Sequence, residues 1–507
     1  MKNALLLIIT LLLAAAGLAA RAQVPGWLPP TGLPGGPSRC EVAAVATDAA
    51  GNLYVAGTFR TQMQLGRVKL EAVRSGDIFV AKYGPGARHL RWVVSAGSAG
   101  EDHITALVVR GASVYVAGDY GGDEISFGPH TLANTDWNTH LFVAKLTDRG
   151  SAGRFAWAVG AVSQDVERRP ALAVMGRYVY LAANARGDTF QLGGRTLSGP
   201  PGNLLLARLT DAGPTATLDW AVRTGGPGEQ QVQALAVQGN RLYVGGSFRD
   251  SLTFGAHRAA SSGYADLFVA RLTDTGRTAT CNWLQSVGGW YDDDWLAGLA
   301  VVGGRVYLAG ALKSDSVAFG PAMLVNPTPS FSEGFVACLT DADTADRFAW
   351  HLRLTGPGNE ELRSLAVQGG RLYVGGRFDG PRATAGSLRL VNPDSTDRHW
   401  RLVLAGVADL GATAHFVPLP PTDAQGTVDA LAVSGRYLYA SGRADHKSVF
   451  GPHLLPTHGN GRATYVAALR RPAGSRAWTP GGYRARRART GKSSVPLPAR
   501  HRPRRLP

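Results

Sequence analysis

Apolar residues in this chain come in short alternating runs rather than helical stripes, and the runs repeat. A tyrosine inside an apolar run recurs at Tyr54, Tyr115, Tyr180, Tyr243, Tyr307, Tyr373 and Tyr439, at intervals of 61 to 66 residues. Shortly after each comes a glycine preceded by an apolar residue, from Leu65-Gly66 and Phe127-Gly128 to Ala385-Gly386 and Phe450-Gly451. A third marker is an apolar strand such as Phe79-Val80-Ala81 or Phe268-Val269-Ala270. The fourth is a tryptophan 13 to 15 residues later, at Trp92, Trp157, Trp220, Trp283, Trp350 and Trp478. The sixth unit departs from the pattern, with Trp400-Arg401-Leu402-Val403 and Phe416 in these two places. Markers in fixed order at a fixed period mean one supersecondary unit used seven times.

Each unit reads as four short strands. Leu235-Ala236-Val237, the turn Gln238-Gly239-Asn240 and Leu242-Tyr243-Val244 form the clearest hairpin, with Gly and Asn supplying the positive φ that a tight turn needs. A second turn, Leu272-Thr273-Asp274-Thr275-Gly276, is matched by Leu209 to Gly213 and Leu146 to Gly150, and the Trp strand follows it. No connection is long enough for a parallel crossover. The expected fold is all-β: a single seven-bladed β-propeller of four-stranded antiparallel blades, spanning residues 23–478. The Tyr and Trp series should lie buried between blades. Trp27 and Trp478 compete for the outer strand of the last blade, and a strand from the N-terminal segment removes a loose edge better.

The first unit carries a more specific likeness. Asp48-Ala49-Ala50-Gly51-Asn52-Leu53-Tyr54-Val55-Ala56-Gly57, followed by Asp77-Ile78-Phe79-Val80-Ala81-Lys82 and Trp92, resembles the bacterial β-propeller repeat known as SBBP. It is similar in particular to exported propellers of Bacteroidetes-type bacteria, over roughly Trp27 to Trp478. That resemblance implies a propeller in an exported protein and transfers no catalytic residue. Kelch repeats share Tyr-x-x-Gly-Gly, but their period of ~50 residues is too short.

Composition supports this picture. Of 507 residues 45% are hydrophobic and 18% charged, which permits a large core, and Gly 65 fits many tight turns. The net charge of +16 suggests nucleic acid until it is placed along the chain. From Arg470 to Pro507 there are 12 Lys or Arg and no acid, so the body is nearly neutral. Residues 479–507 read as a basic disordered tail, either a cationic arm for polyanions such as nucleic acid or anionic glycolipid, or a terminus without a role. At the other end Lys2, the apolar run Ala4 to Leu18 and Ala20-Arg21-Ala22 have the form of a signal peptide over residues 1–22. Export to the cell exterior or envelope is expected, as a monomer without a transmembrane span.

Chemistry-bearing motifs are sparse. Zinc-protease, nucleophile-turn and phosphate-loop patterns do not occur. Cys40, Cys281 and Cys338 fall on different units and read as structural or free thiols. Cys338 takes the place held by Lys82, Lys145, Arg208 and Arg271, read as a solvent-facing strand position. The connections from each Trp strand to the next unit carry carboxylates: Glu101 and Asp102, Asp165 and Glu167, Glu229, Asp292-Asp293-Asp294, Glu360 and Glu361, and Asp423. They read either as a ring of oxygen ligands at the channel mouth, with calcium the cation and Asp292, Asp293 and Asp294 the leading contacts, or as caps that accept backbone N–H bonds in tight loops. Trp290 and Trp295 stand outside the Trp period and are the aromatic candidates for ligand contact.

Two function classes follow. One is a non-catalytic binding or structural module with a protein or glycan ligand. The other is a propeller enzyme of lyase or glycosidase type, with its site at the acidic mouth; fold alone does not choose between them. The tail yields the first prediction. Deleting residues 479–507 should leave the thermal midpoint unchanged and abolish heparin retention at low salt. A midpoint several degrees lower would make the tail part of the folded body.

Overall fold

The computed structural model describes residues 26–33, 40–136, 138–198, 203–290, 293–328, 330–342, 346–393, 399–456 and 462–471, with backbone alone at 163–168, 185–189, 198, 346 and 462. Residues 1–22, the 479–507 tail and Trp478 lie outside them. Among the described residues every regular element is a strand except one 3-10 turn, Pro85–Ala87. No helix among them is long and apolar enough to cross a membrane.

The fourth unit shows the plan. From inside to outside, Gln230–Gln238 pairs with Arg241–Phe248, then Asp266–Asp274, then Ala279–Val287, all antiparallel. The hairpin turn is Gly239-Asn240, with Gly239 at φ +63°. Four strands are not the whole unit, however. The marker Phe254-Gly255 is the turn of an extra hairpin, Ser251–Phe254 with His257–Ala260, inserted between the second and third strands. Phe254 folds back to 5.8 Å from Phe268 on the third strand. The pairs Phe127 with Phe142 and Phe319 with Phe335 repeat that contact in other units. An apolar residue on the hairpin, aromatic in these units and Leu65, Leu192 or Ala385 in others, thus seals the outer end of the core, which is why the apolar-Gly marker recurs.

The inner strands follow one another around a closed path. Glu41–Thr47 touches Asp102–Arg110, and Gly153–Met175, Gln230–Gln238, Trp295–Val302 and Glu360–Gln368 continue the sequence. Ala430–Ser434 then touches both Glu360–Gln368 and the starting strand Glu41–Thr47. Antiparallel sheets arranged face to face around an axis make the fold a β-propeller. The N-terminal segment completes the last sheet: Gly26 and Trp27 pair with Arg470 and Leu469, and Thr31 and Gly32 with Val466 and Tyr465. Trp27 is buried, lies 5.2 Å from Phe450 and donates its indole N–H to the Pro420 carbonyl at 3.2 Å. Facing Leu469 and packed on the hairpin aromatic, it takes the place that Phe155 and Phe348 hold in their units.

Neighbouring sheets are joined by one repeated device. Asp274, in the turn after the third strand of the fourth unit, receives three side chains of the third unit: Tyr180 Oη at 2.7 Å, Arg208 Nη1 at 2.7 Å and Trp220 Nε1 at 3.0 Å. Its own Gly276 N–H adds a fourth bond at 2.8 Å. Asp148 takes Tyr54, Lys82 and Trp92 in the same way, and Asp211 takes Tyr115, Lys145 and Trp157. Asp341 takes Tyr243, Arg271 and Trp283. A register shift just after each basic residue sets it opposite the Trp, as Arg271 faces Trp283, so both reach one carboxylate.

This corrects the sequence reading of Cys338. The Lys/Arg position is not solvent-facing: Lys82, Lys145, Arg208 and Arg271 are all buried, and Cys338 is 0% exposed. Where Cys338 removes the cation, Arg305 replaces it, reaching Asp409 through Nε at 2.6 Å beside Tyr307 and Trp350. Cys40, Cys281 and Cys338 are free thiols.

Burial opposes ionisation of Asp148, but the bonds from Lys82, Tyr54, Gly150 N–H and Trp92 prevail and hold it at about 2 against the usual 3.8. Asp211, Asp274 and Asp341 are lowered in the same sense. A depressed carboxylate adds stability that is complete above its unfolded value and is lost as pH falls through the folded one. These joints should therefore hold at pH 5 and fail towards about pH 2. Asp274→Ala leaves a guanidinium, a phenol and an indole N–H buried without their acceptor, and should cost about 3–5 kcal/mol in urea unfolding near neutral pH. A cost below about 1 kcal/mol would show that apolar packing alone sets the joint.

Candidate functional site

The innermost strands begin at one end of the central channel, and a bulge there decides what faces the axis. In each of five units the register between the first two strands slips by one residue, leaving Ala43, Thr105, Gln233, Ala297 and Arg363 without a partner. A bulge re-aims its extra residue. Each of these residues lines a cavity of about 1180 Å³, and Pro170 and Asp429 line it at the corresponding places in the third and seventh units. All seven stand just before an Ala-Leu-like pair, as in Gln233-Ala234-Leu235 and Asp429-Ala430-Leu431. That periodic position was the available signal, and only its variability hides it.

The mouth of this cavity is lopsided. Glu361 is gripped by Arg377 through Nε at 2.8 Å and Nη2 at 3.0 Å, and by Arg363 Nη1 at 3.2 Å. Arg363 Nε also bonds Asp429 at 2.8 Å, and Thr427 donates to Asp429 at 2.7 Å. The Arg377 guanidinium lies 3.8 Å above the Trp400 ring. Arg443 and Glu41 close this side with an ion pair at 2.5 Å. On the other side Trp295 faces the cavity, Gln233 accepts the Leu296 N–H at 3.0 Å, and His103 meets Asp119 at 3.1 Å.

The carboxylates expected as a ring do not converge. Asp102 is buried and caps its loop, accepting Ser98 N–H at 2.6 Å and Ser98 Oγ–H at 2.5 Å. Asp294 is buried likewise, accepting Lys313 N–H at 2.7 Å, Ser314 N–H at 3.1 Å and Ser314 Oγ–H at 2.9 Å. Asp293 points the other way, to Arg249 at 2.8 Å and Ala265 N–H at 3.1 Å. Glu229 lies 3.8 Å from the same Arg249, and Asp423 pairs with Arg401 at 2.5 Å. Glu101 pairs with Arg60 at 3.0 Å. Asp292 and the side chains of Asp165 and Glu167 lie outside the described residues. Among the described residues no three His, Cys, Asp or Glu side chains are grouped to hold a metal ion, calcium included. Of the acids singled out from sequence, Glu361 belongs to the mouth.

Glu360 is the extreme case of an inward-turned acid. It is 0% exposed, and burial, with the nearby charges of Asp379 and Glu333, pushes it up to about 9. Asp102 and Asp294 are raised to about 7, chiefly by burial. All three stabilise the fold as neutral acids, so their contribution is complete below the unfolded value and is lost as pH rises through the folded one. Glu360→Gln should therefore raise the urea midpoint at pH 9 relative to the unaltered protein and flatten its decline from pH 5 to 9. An unchanged pH slope would assign that decline to other groups.

No family model matches the chain, and no curated protein sequence matches it. Among solved structures it is similar to a putative 6-phosphogluconolactonase from Bacteroides uniformis, at 13% identity and a TM-score of 0.38, covering 80% of this chain and 98% of that one. It is similar to the quinohemoprotein alcohol dehydrogenase of Comamonas testosteroni, at 11% identity and a TM-score of 0.37, over 86% and 75%. Drosophila semaphorin 1b, extracellular domains 1–2, matches at 6% identity and a TM-score of 0.40, over 86% and 85%. Likeness at this level says nothing about activity; the propeller assignment stands on the strand order and the ring of inner strands.

Proposed function

We propose that the chain is an exported, SBBP-like propeller of seven blades that works as a non-catalytic binding module, with its ligand at the mouth where the inner strands begin. The unbroken circuit of seven inner strands supports the blade number. The observation that carries the binding reading is the state of the acids at the mouth. Glu361 and Asp429 are each held by guanidinium groups and hydrogen bonds, in a fixed lattice suited to recognition. A lyase or glycosidase needs a carboxyl free to give and take a proton beside the scissile bond. The acids of this face that burial makes harder to ionise, Asp102, Asp294 and Glu360, are sealed inside loops instead.

Incubating the purified protein with glycan and peptide panels should return every probe unchanged, while at least one binds and is lost on Arg363→Ala. Turnover that disappears in Glu361→Gln would establish the enzyme in place of the binding module.

A further inference from the structure

Among the described residues, the tryptophans that are not buried share one face. Trp27, Trp92, Trp157, Trp220, Trp283 and Trp350 are buried in or between sheets. Trp295 and Trp400 line the channel mouth, only partly buried. Trp290 lies five residues before Trp295 on the same connection and is 73% exposed. Tyr264, 56% exposed, lies by the later part of that connection: Ala265 bonds Asp293 and Asp294, and Arg249 sits 5.8 Å from the Tyr264 ring. Exposing aromatic area of this size is unfavourable, and nothing in the blade core requires it here.

From this we infer that the mouth takes a neutral oligosaccharide, which runs from the Glu361–Arg377–Arg363 lattice across Trp295 to the Trp290 rim. This rests on the reading of the mouth as a binding site and adds the ligand class. Three arguments select it. First, the guanidinium groups of the lattice are already paired in place: Arg377 with Glu361, Arg363 with Asp429 and Arg443 with Glu41. At the lattice an anionic ligand would have to displace a carboxylate, and a cationic one a guanidinium, each leaving a partly buried charge unpaired. A vicinal diol avoids that cost, since one hydroxyl donates to carboxylate oxygen while its neighbour accepts from a remaining guanidinium N–H. Second, the side chains are fixed by one another before any ligand arrives, so little rotamer freedom is lost on binding. Third, Trp290 and Tyr264 are exposed rather than walls of a pocket. Such a surface matches the C–H face of a sugar ring better than an inserted apolar side chain. The cavity of about 1180 Å³ exceeds the ~300–1,000 Å³ usual for small-molecule sites and leaves room for a chain of sugars.

The test is calorimetric titration of the full chain with short neutral cello-, malto-, manno- and chito-oligosaccharides, beside polygalacturonate and a polyglutamate peptide. At least one neutral oligosaccharide should bind, with an affinity little changed when salt is raised from about 0.05 to 0.5 M, because no net charge is neutralised. Trp295→Ala and Trp290→Ala should each weaken it about tenfold without moving the melting temperature. If Trp295→Ala does not fold, the exposed Trp290→Ala alone carries the comparison. Binding confined to the anionic probes, falling with salt and lost on Arg363→Ala, would overturn the neutral sugar and leave the mouth as a binding site. Sugar binding indifferent to both Trp variants would place the sugar elsewhere and overturn the inference. Silence from every probe, in a protein that also fails to bind peptides at the mouth, would remove both readings.

Discussion

A buried aspartate that belongs to one blade and is satisfied by the blade before it holds this molecule together. Each blade touches only its neighbours, so stability is a sum over joints, as in other repeat architectures. Apolar burial supplies most of each joint, for example where Leu206 and Trp220 meet Leu242, Val244 and Phe254. The carboxylate supplies the register. Asp274 accepts from a phenol, a guanidinium, an indole and a backbone N–H, so a slip of one residue would strand four polar groups in the interior. The fifth unit shows that the requirement is for the cation rather than for its origin. Cys338 replaces the basic residue on the third strand, and Arg305 delivers the charge from the second.

Two joints are made differently, and they flank the seventh unit. Arg471 stands where the other units have the aspartate: its N–H bonds Arg436 O just as the Asp274 N–H bonds Asn240 O. Tyr373 of the sixth blade therefore meets the Arg471 guanidinium, 5.5 Å from its ring, in place of a carboxylate. Between the seventh and first units, the Tyr439 hydroxyl accepts from Gly86 N–H and donates to Gly51 O, both at 2.8 Å. The N-terminal strand lies over the same place, with Thr31 donating to Ala87 O at 3.3 Å. The chain ends thus close the ring by backbone pairing where the ionic device is missing.

The repeat was legible because the residues that build the joint are large and evenly spaced. The Tyr and Trp series, the hairpin glycines and the position of Trp27 all lead from sequence to the observed sheets. The aspartate was visible too, but as a turn residue, because it does bond the N–H two positions on. Its main partners lie 54 to 104 residues earlier, in another blade, and no local pattern announces them. The same blindness made Lys82 and Arg271 look like surface residues. The extra hairpin was missed because strands of four residues with mixed polarity, such as His257–Ala260, carry little periodic signal.

The candidate site was less legible, for a reason that the bulges explain. Alternation along a strand says which side chains face the neighbouring sheets, but the axis is reached by a residue that breaks the alternation. Joint positions can therefore repeat from blade to blade while Ala43, Thr105, Pro170, Gln233, Ala297, Arg363 and Asp429 differ at the axis without disturbing them. Acids that seemed to mark the mouth sit one step away, at Asp102, Asp294 and Glu360, where the chain turns inward and needs a buried acceptor or a neutral acid. The polar lattice instead gathers on the sixth, seventh and first units, beside the two joints that lack the aspartate. A ring of near-identical units acquires a distinct side in this way, through single residues that packing leaves free to vary.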